Sequence, residues 1–483
     1  MKASPSRVLV PVLILIGMVT SVVSSLGAPL LPTIARVDHV SLGDAQWSLT
    51  VTMLVGAVTA PVLGRLGDGP ARRAVILASL AAVVVGSVLA ALPGGGFPLL
   101  LLGRGLHGFG LGLMPLTMAV ARDSLPQHRA GPAIALLSIA TVAGVGLGYP
   151  ITGVLDENLG LHATFWFGAI VGSLALLVSL PVIPRSAHLQ RRPLDSAGAL
   201  LVGVALLALL LGITEGQPWG WGSARVVGLI VVGVVLGAAW VARERSVRHP
   251  LVDLGLLRHA SVAVTNATAL LIAMAMYMFI PLLTDFVQTP RSAGYGSGAS
   301  VVTTGLMLLP FSALSTSMSR VAAALGARIG PERVVTIGAL VMAVAVGLFA
   351  VAGGALWVGF VAMGICGIGV GFTFAAMPGL IVRSVPGGET GSALGFYQVV
   401  RYVGFCVGSG IATSILAGFT PTRHLLPDRT GFTVALTVGA AVCLVAAIVS
   451  ASLGRGVSLR RSVPGEPVAL DSVEEVGAEV VFE

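Results

Sequence analysis

The chain has 483 residues, 55% of them hydrophobic and only 10% charged, with a mean hydropathy of +0.97. Soluble domains carry roughly 25% charged residues, so water is excluded as the solvent for most of this surface. The net charge of +8 does not point to a nucleic-acid partner, because the arginines are spread over short joints between apolar blocks instead of gathering on one soluble face.

Those blocks are about 20 residues long, the length of helix that covers a hydrocarbon core of about 30 Å. They are continuous, whereas the strands of a membrane barrel alternate apolar and polar residues. The expected fold class is therefore an all-α polytopic membrane protein. The first block runs from Val8 to about Ile34, longer than a signal-peptide core of about 7–15 residues, and reads as a retained first span. Spans follow near 47–64, 74–92, 97–120, 131–155 and 161–183, then near 197–214 and 225–241. A last group lies near 260–284, 300–319, 334–354, 356–381, 391–416 and 431–453.

Cytoplasmic joints are expected to hold the Lys and Arg excess. With both termini cytoplasmic, the outer joints hold only Arg36, Arg225, Arg291, Arg423 and Arg429 of the 28 basic residues, and Arg104 and Arg401 fall inside spans. The most basic joints, around Arg185, Arg191 and Arg192 and around Arg243, Arg245, Arg248 and Arg258, bracket the seventh and eighth spans. That divides the chain into a six-helix bundle (1–184), two linking spans (185–258), a second six-helix bundle (259–453) and an acidic cytoplasmic tail (454–483) expected to be disordered. Cys366, Cys406 and Cys443 sit inside apolar blocks without paired spacing, which suggests neither disulfide nor metal site. No HExxH, GxSxG or Walker-type loop occurs, so neither an enzyme nor a cofactor is expected.

The joint after the second span reads Gly64-Arg65-Leu66-Gly67-Asp68-Gly69-Pro70-Ala71-Arg72-Arg73. The fourth span contains Arg104-Gly105-Leu106-His107-Gly108, and the fifth contains Gly144, Gly146, Gly148, Tyr149-Pro150 and Gly153. Taken in order, over about residues 8–453, these resemble the signature motifs of the major facilitator superfamily, in particular its fourteen-span drug/proton antiporter branch. Pro250-Leu251-Val252-Asp253-Leu254 and Glu389-Thr390-Gly391-Ser392-Ala393 are similar to that branch as well. Departures are Gly69 and Ala71 in the first motif, His107 in place of a usual glutamine, and Tyr149 and Val154 where glycine is preferred.

The resemblance implies a major facilitator fold and export of small molecules by alternating access between the two bundles. Gly64, Asp68, Arg72 and Arg73 would form a conformational switch, with Asp68 accepting N–H groups at a helix end and pairing with Arg72 or Arg73. A local reading, an N-cap followed by Pro70, competes with it. The glycines of the fifth span with a bend at Pro150 would be a helix-packing motif, or ordinary tight packing.

Physical reasoning adds further candidates. Arg104 lies about 10 Å into its span, where an arginine usually faces a partner or an aqueous cavity, and His107 is its i+3 neighbour. In the thirteenth span Tyr397, Gln398, Arg401 and Tyr402 form the most polar cluster, with Arg401 about 15 Å deep. Related exporters usually carry an aspartate in the first span, but Ser21–Pro32 contains no carboxylate, and no span has an acid near its middle. Glu215 and Asp285 at span ends, with Asp156 and Glu157 in an outer joint, are nearest. Substrate or coupling roles therefore fall to Arg104, His107, Tyr397, Gln398, Arg401, Asp285 and Glu215.

Two intramembrane arginines without central acids favour an anionic or neutral substrate over a permanent cation. The expected function is a secondary transporter exporting an antibiotic, drug or secondary metabolite. The expected partners are the lipid bilayer of the inner (plasma) membrane, a small-molecule substrate and protons, with the chain acting as a monomer. Export of a lipid or siderophore is the alternative, and a membrane receptor or enzyme a remote one.

Overall fold

The computed structural model describes residues 5–26, 30–40, 42–185, 195–216, 219–247, 250–252, 254–255, 260–386, 389–420 and 427–461. Among these residues no strand occurs. Eleven helices are long and apolar enough to cross a membrane, and Val8–Val23 adds a shorter apolar stretch.

The chain forms α1 (Pro5–Ser25), α2 (Leu31–Val37), α3 (Leu42–Gly67), α4 (Arg72–Ala91), α5 (Gly96–Leu111), α6 (Leu113–Ser124) and α7 (Gln127–Val182). A pair, α8 (Ser196–Thr214) and α9 (Ala224–Ser246), follows. Then come α10 (Ala260–Gln288), α11 (Val301–Ile329), α12 (Pro331–Ala352), α13 (Leu356–Ser384), α14 (Thr390–Gly418) and α15 (Arg429–Arg461).

Four features differ from the blocks read off the sequence. The first block is not one helix: α1 stops at Ser25, and the short α2 restarts at Leu31 with proline in its first turn, a position where the missing N–H costs nothing. The fourth block is broken at Gly112, where a Cβ would stand 2.5 Å from Leu63 Cδ1, so α3 packs against bare backbone. The fifth and sixth blocks run together as α7, and the joint expected at Asp156 and Glu157 is helical. The interruption falls at Gly160, whose φ of 83° is the left-handed conformation glycine tolerates without strain. At the far end, α15 continues to Arg461, past the boundary placed at Gly454. The acidic residues of the tail from Glu466 onward lie outside the described residues.

Helices α1 to α7 pack mainly among themselves, as do α10 to α15. The two groups meet along two seams: α14 against α3 and α6, and α7 against α11 and α13. The α8–α9 pair lies outside the first seam, α8 touching α3 and α14. Asp195 holds that pair together: its carboxylate caps α8 by accepting from the Gly198 N–H at 3.0 Å and pairs with Arg243 of α9 at 2.8 Å. The Arg243 contact keeps its carboxyl below the ordinary range.

Candidate functional site

At the end of the bundle that carries the 68–71 joint, the first seam is closed by a polar latch. The first N–H groups of a helix lack acceptors inside it, and Glu389, the residue before α14, gives no side-chain cap. Asp68, from the other group of helices, supplies one. The N–H of Gly391 donates to its Oδ1 at 2.7 Å and the N–H of Ser392 to its Oδ2 at 2.9 Å. The carboxylate also meets the positive end of the α14 dipole.

Close backbone approach permits this. A Cβ on Gly64 would stand 2.5 Å from the Gly391 carbonyl oxygen, and one on Gly391 would stand 2.6 Å from that of Gly64. Asp68 is only 4% exposed. Burial pushes its carboxyl up to about 6, against the pull of the Ser392 and Gly391 hydrogen bonds and of Arg72.

Arg72 and Arg73 do not pair with Asp68 as the sequence suggested. Arg72 forms an ion pair with Asp123 at 2.7 Å and donates to the Gly67 carbonyl, while Arg73 donates to the Leu180 carbonyl at 2.6 Å. Both tie the joint to its own group of helices. The latch is reinforced by a residue that sequence reasoning passed over: Arg122 donates to the Val385 carbonyl at 3.0 Å and to the Thr390 hydroxyl. Its place beside the Asp123 carboxylate, in a joint, gave no signal of a partner so distant in sequence.

Arg104 and His107 are brought together, fully buried, by α1, α3, α4 and α5. Arg104 donates to the carbonyls of Ser48 at 3.0 Å and Val23 at 3.1 Å, and to His107 Nδ1 at 3.2 Å. Since Nδ1 accepts, the imidazole is neutral, and its Nε2–H donates to Ser87 Oγ at 2.9 Å. These hydrogen bonds run to α1, α3 and α4, and the His107 ring lies 6.4 Å from that of Phe165 on α7, so they stay within the first group of helices. The pair is a structural tie more than an open site.

Arg401 differs. It is 6% exposed, donates to Gln398 Oε1 at 2.7 Å, and lies with its guanidinium carbon 4.0 Å from the Phe374 ring centroid. The Tyr397 and Phe405 rings stand at 5.6 Å and 5.7 Å. Tyr277 of α10 stacks on Phe405 at 4.1 Å, and the Tyr402 hydroxyl donates to the Leu111 carbonyl across the seam at 3.4 Å. Among the described residues the buried Nε–H of Arg401 has no acceptor, and no carboxylate forms an ion pair with it. The aromatic walls Phe374, Phe405 and Tyr277 come from three helices and carry no sequence motif, so only the folded chain assembles them.

The remaining candidates stand apart from Arg401. Glu215 caps the far end of α8, where burial pushes its carboxyl up. Asp285 is exposed near the end of α10. Within α7, Gly144 allows close contact with α1: a Cβ there would meet Ser21 Cβ at 2.7 Å. Gly153 faces open space, and Gly148 and Pro150 lie in the same unbroken helical run, as does Gly146.

The sequence pattern of the Major Facilitator Superfamily matches residues 13–409. Multidrug resistance protein Stp of Mycobacterium tuberculosis is 29% identical over 397 residues, 80% of this chain and 72% of that one. The tetracenomycin C resistance and export protein of Streptomyces glaucescens is 28% identical over 411 residues, 82% and 73% of the two chains. The crystal structure of the human organic anion transporter MFSD10 superposes with a TM-score of 0.67 at 17% identity, covering 93% of this chain and 100% of that one.

Proposed function

The chain belongs to the Major Facilitator Superfamily, and from that premise we propose that it exports an anionic or neutral polar small molecule, with Arg401 contacting the substrate. It is a multi-pass membrane transporter, not an enzyme, and its relatives include multidrug and antibiotic exporters.

The observation that carries the substrate reading is the charge balance around Arg401. A buried charge without a partner is costly, by several kcal/mol, and here aromatic faces and one amide supply only partial compensation. A substrate anion entering beside Phe374 and Phe405 completes the pair, while its apolar body lies on the rings. A permanent cation meets repulsion there.

The transport cycle follows from the latch. Asp68 on the α14 N-terminus holds the two helix groups together at one end, which the arginine distribution makes cytoplasmic, with both termini on that side. Release of that contact frees the groups to rock about the midplane. The α1–α7 and α10–α15 groups on either side of the α8–α9 pair are the two rocking bodies, and protons drive the exchange. Without a first-span carboxylate, the acids available to carry them are Asp68, Glu215, Asp285 and the substrate itself.

The test is accumulation of matched acidic, neutral and quaternary-ammonium compounds in a pump-deleted bacterial host, with and without this protein. Acidic and neutral compounds are expected to be expelled, expulsion to stop under a protonophore, and Arg401→Ala to abolish the acidic component. Efficient efflux of quaternary ammonium compounds that survives Arg401→Ala would overturn the substrate reading.

A further inference from the structure

At the latched end, the second seam is not closed. Between α6 and α7 on one side and α11, α12 and α13 on the other lies a cavity of about 1320 Å³. Its walls are apolar, with Leu125, Ile134 and Val382 among them, and its rim is cationic: Arg122, Arg328, Arg333 and Arg383 against the single acid Glu332. Arg122 is engaged in the latch, but Arg328, Arg333 and Arg383 are exposed and form no ion pair among the described residues. Three like charges around one opening repel one another, so the rim as it stands favours an anionic occupant with apolar surface.

The chain itself carries such a segment. Residues 462–483 contain Glu466, Asp471, Glu474, Glu475, Glu479 and Glu483, no lysine or arginine, and Val473, Val476, Val480, Val481 and Phe482 between the acids. The helix that leads into it passes α12 close to this rim. Ser450 Oγ of α15 lies 2.9 Å from Thr336 Oγ1 of α12, one turn from Arg333, and α15 continues to Arg461 on the same side. From there an extended chain at about 3.3 Å per residue spans on the order of 70 Å, more than enough to turn back to the cavity. Tethering also gives the segment an effective concentration in the millimolar range, so a weak contact suffices.

We propose that the acidic C-terminal segment 462–483 docks in this arginine-rimmed cavity, its carboxylates on Arg328, Arg333 and Arg383 and its apolar residues against the walls. Docked there, it bridges the two helix groups at the seam that the Asp68 latch leaves open. It acts as a brake on release of that end, whatever the substrate.

Disulfide trapping in the full-length protein tests this, with Ser472→Cys in the tail and Ala327→Cys on the cavity wall. Rapid cross-linking is expected both in neutral-lipid nanodiscs and in nanodiscs containing phosphatidylglycerol. It is expected to slow about tenfold at 0.5 M salt, where the Debye length is only a few Å. A similar slowing is expected for Glu474→Gln/Glu475→Gln/Glu479→Gln, changes that leave the bundle untouched, and for Arg328→Gln/Arg333→Gln/Arg383→Gln. Cross-linking that is absent, or indifferent to both charge variants, would overturn the proposal. Cross-linking confined to neutral lipid would overturn it in favour of an anionic lipid headgroup as the occupant.

Discussion

Two arginines lie deep in helices of this protein, and their surroundings are opposite. Arg104 is enclosed by α1, α3 and α5, its guanidinium donating to two main-chain carbonyls and a histidine of its own helix group. Arg401 rests on aromatic rings with one amide partner and an Nε–H that has no acceptor among the described residues. The same side chain, buried in both halves, is thus a rivet in one and a positive group without an ion-pair partner among the described residues in the other. Depth alone identifies a buried charge, and only its acceptors show how far it is satisfied.

The largest expected effect is at the rivet. Arg104→Leu leaves His107 Nδ1 buried without its donor, at about 1–3 kcal/mol, and takes a charged donor from the Ser48 and Val23 carbonyls, which keep the Thr52 hydroxyl and the Leu26 N–H. It is expected to lower the thermal inactivation midpoint of the solubilised protein sharply and to reduce the yield of monodisperse protein. Should Arg104→Leu instead be as stable as the parent and inactive in transport, the contrast between the two arginines would fail.

Arg401→Met is the counterpart. Removing an unpaired buried charge costs little stability, within about 1 kcal/mol, while losing a charged hydrogen-bond donor to a substrate is worth about 10–100-fold in affinity. Binding of acidic compounds, measured by isothermal titration calorimetry on purified protein, is expected to weaken by that factor with the inactivation midpoint unchanged.

The seam between the two halves gives the next effect. Asp68→Ala removes the acceptors of the Gly391 and Ser392 N–H groups, a cap worth about 1 kcal/mol, so an Ala393→Cys probe at the seam is expected to be labelled several-fold faster. The carboxyl stands at about 6 when latched and returns towards about 3.9 when released into water. The latched form therefore binds a proton more tightly. Its population is expected to rise as the pH falls from about 6 towards 4, by up to about tenfold per unit, and to be flat above that window. Labelling rates of the same probe across pH, flattened in Asp68→Asn, check the sign.

The smallest effect is expected at His107. Its neutral imidazole bridges Arg104 and Ser87, so His107→Gln is expected to cost about 1 kcal/mol and to leave the pH profile of transport as it was. A displaced profile would return His107 to the coupling pathway.

Much of this architecture was legible in advance because lipid imposes a ruler. Apolar blocks of spanning length, punctuated by arginine-bearing joints, fix a helical bundle before any contact is known. Both partners of the latch were visible as well, the 64–73 joint and the 389–393 segment, but not that one caps the other. That pairing bridges residues over three hundred positions apart, and local chemistry made Arg72 and Arg73 the nearer candidates for Asp68. The helix breaks at Gly112 and Gly160 were hidden for a related reason. A glycine in a glycine-rich membrane helix is usually a packing residue, and only its neighbours or its φ reveal a break.

The sequence by itself determined the solvent of this protein, its helical class and the residue types placed at unusual depth, because hydropathy and charge are properties of residues and their order. The tertiary structure alone decided which arginine is satisfied, which carboxylate joins the halves, and where a cationic cavity opens. Those depend on acceptors, rings and walls drawn from distant segments, and no local pattern encodes the geometry with which they meet.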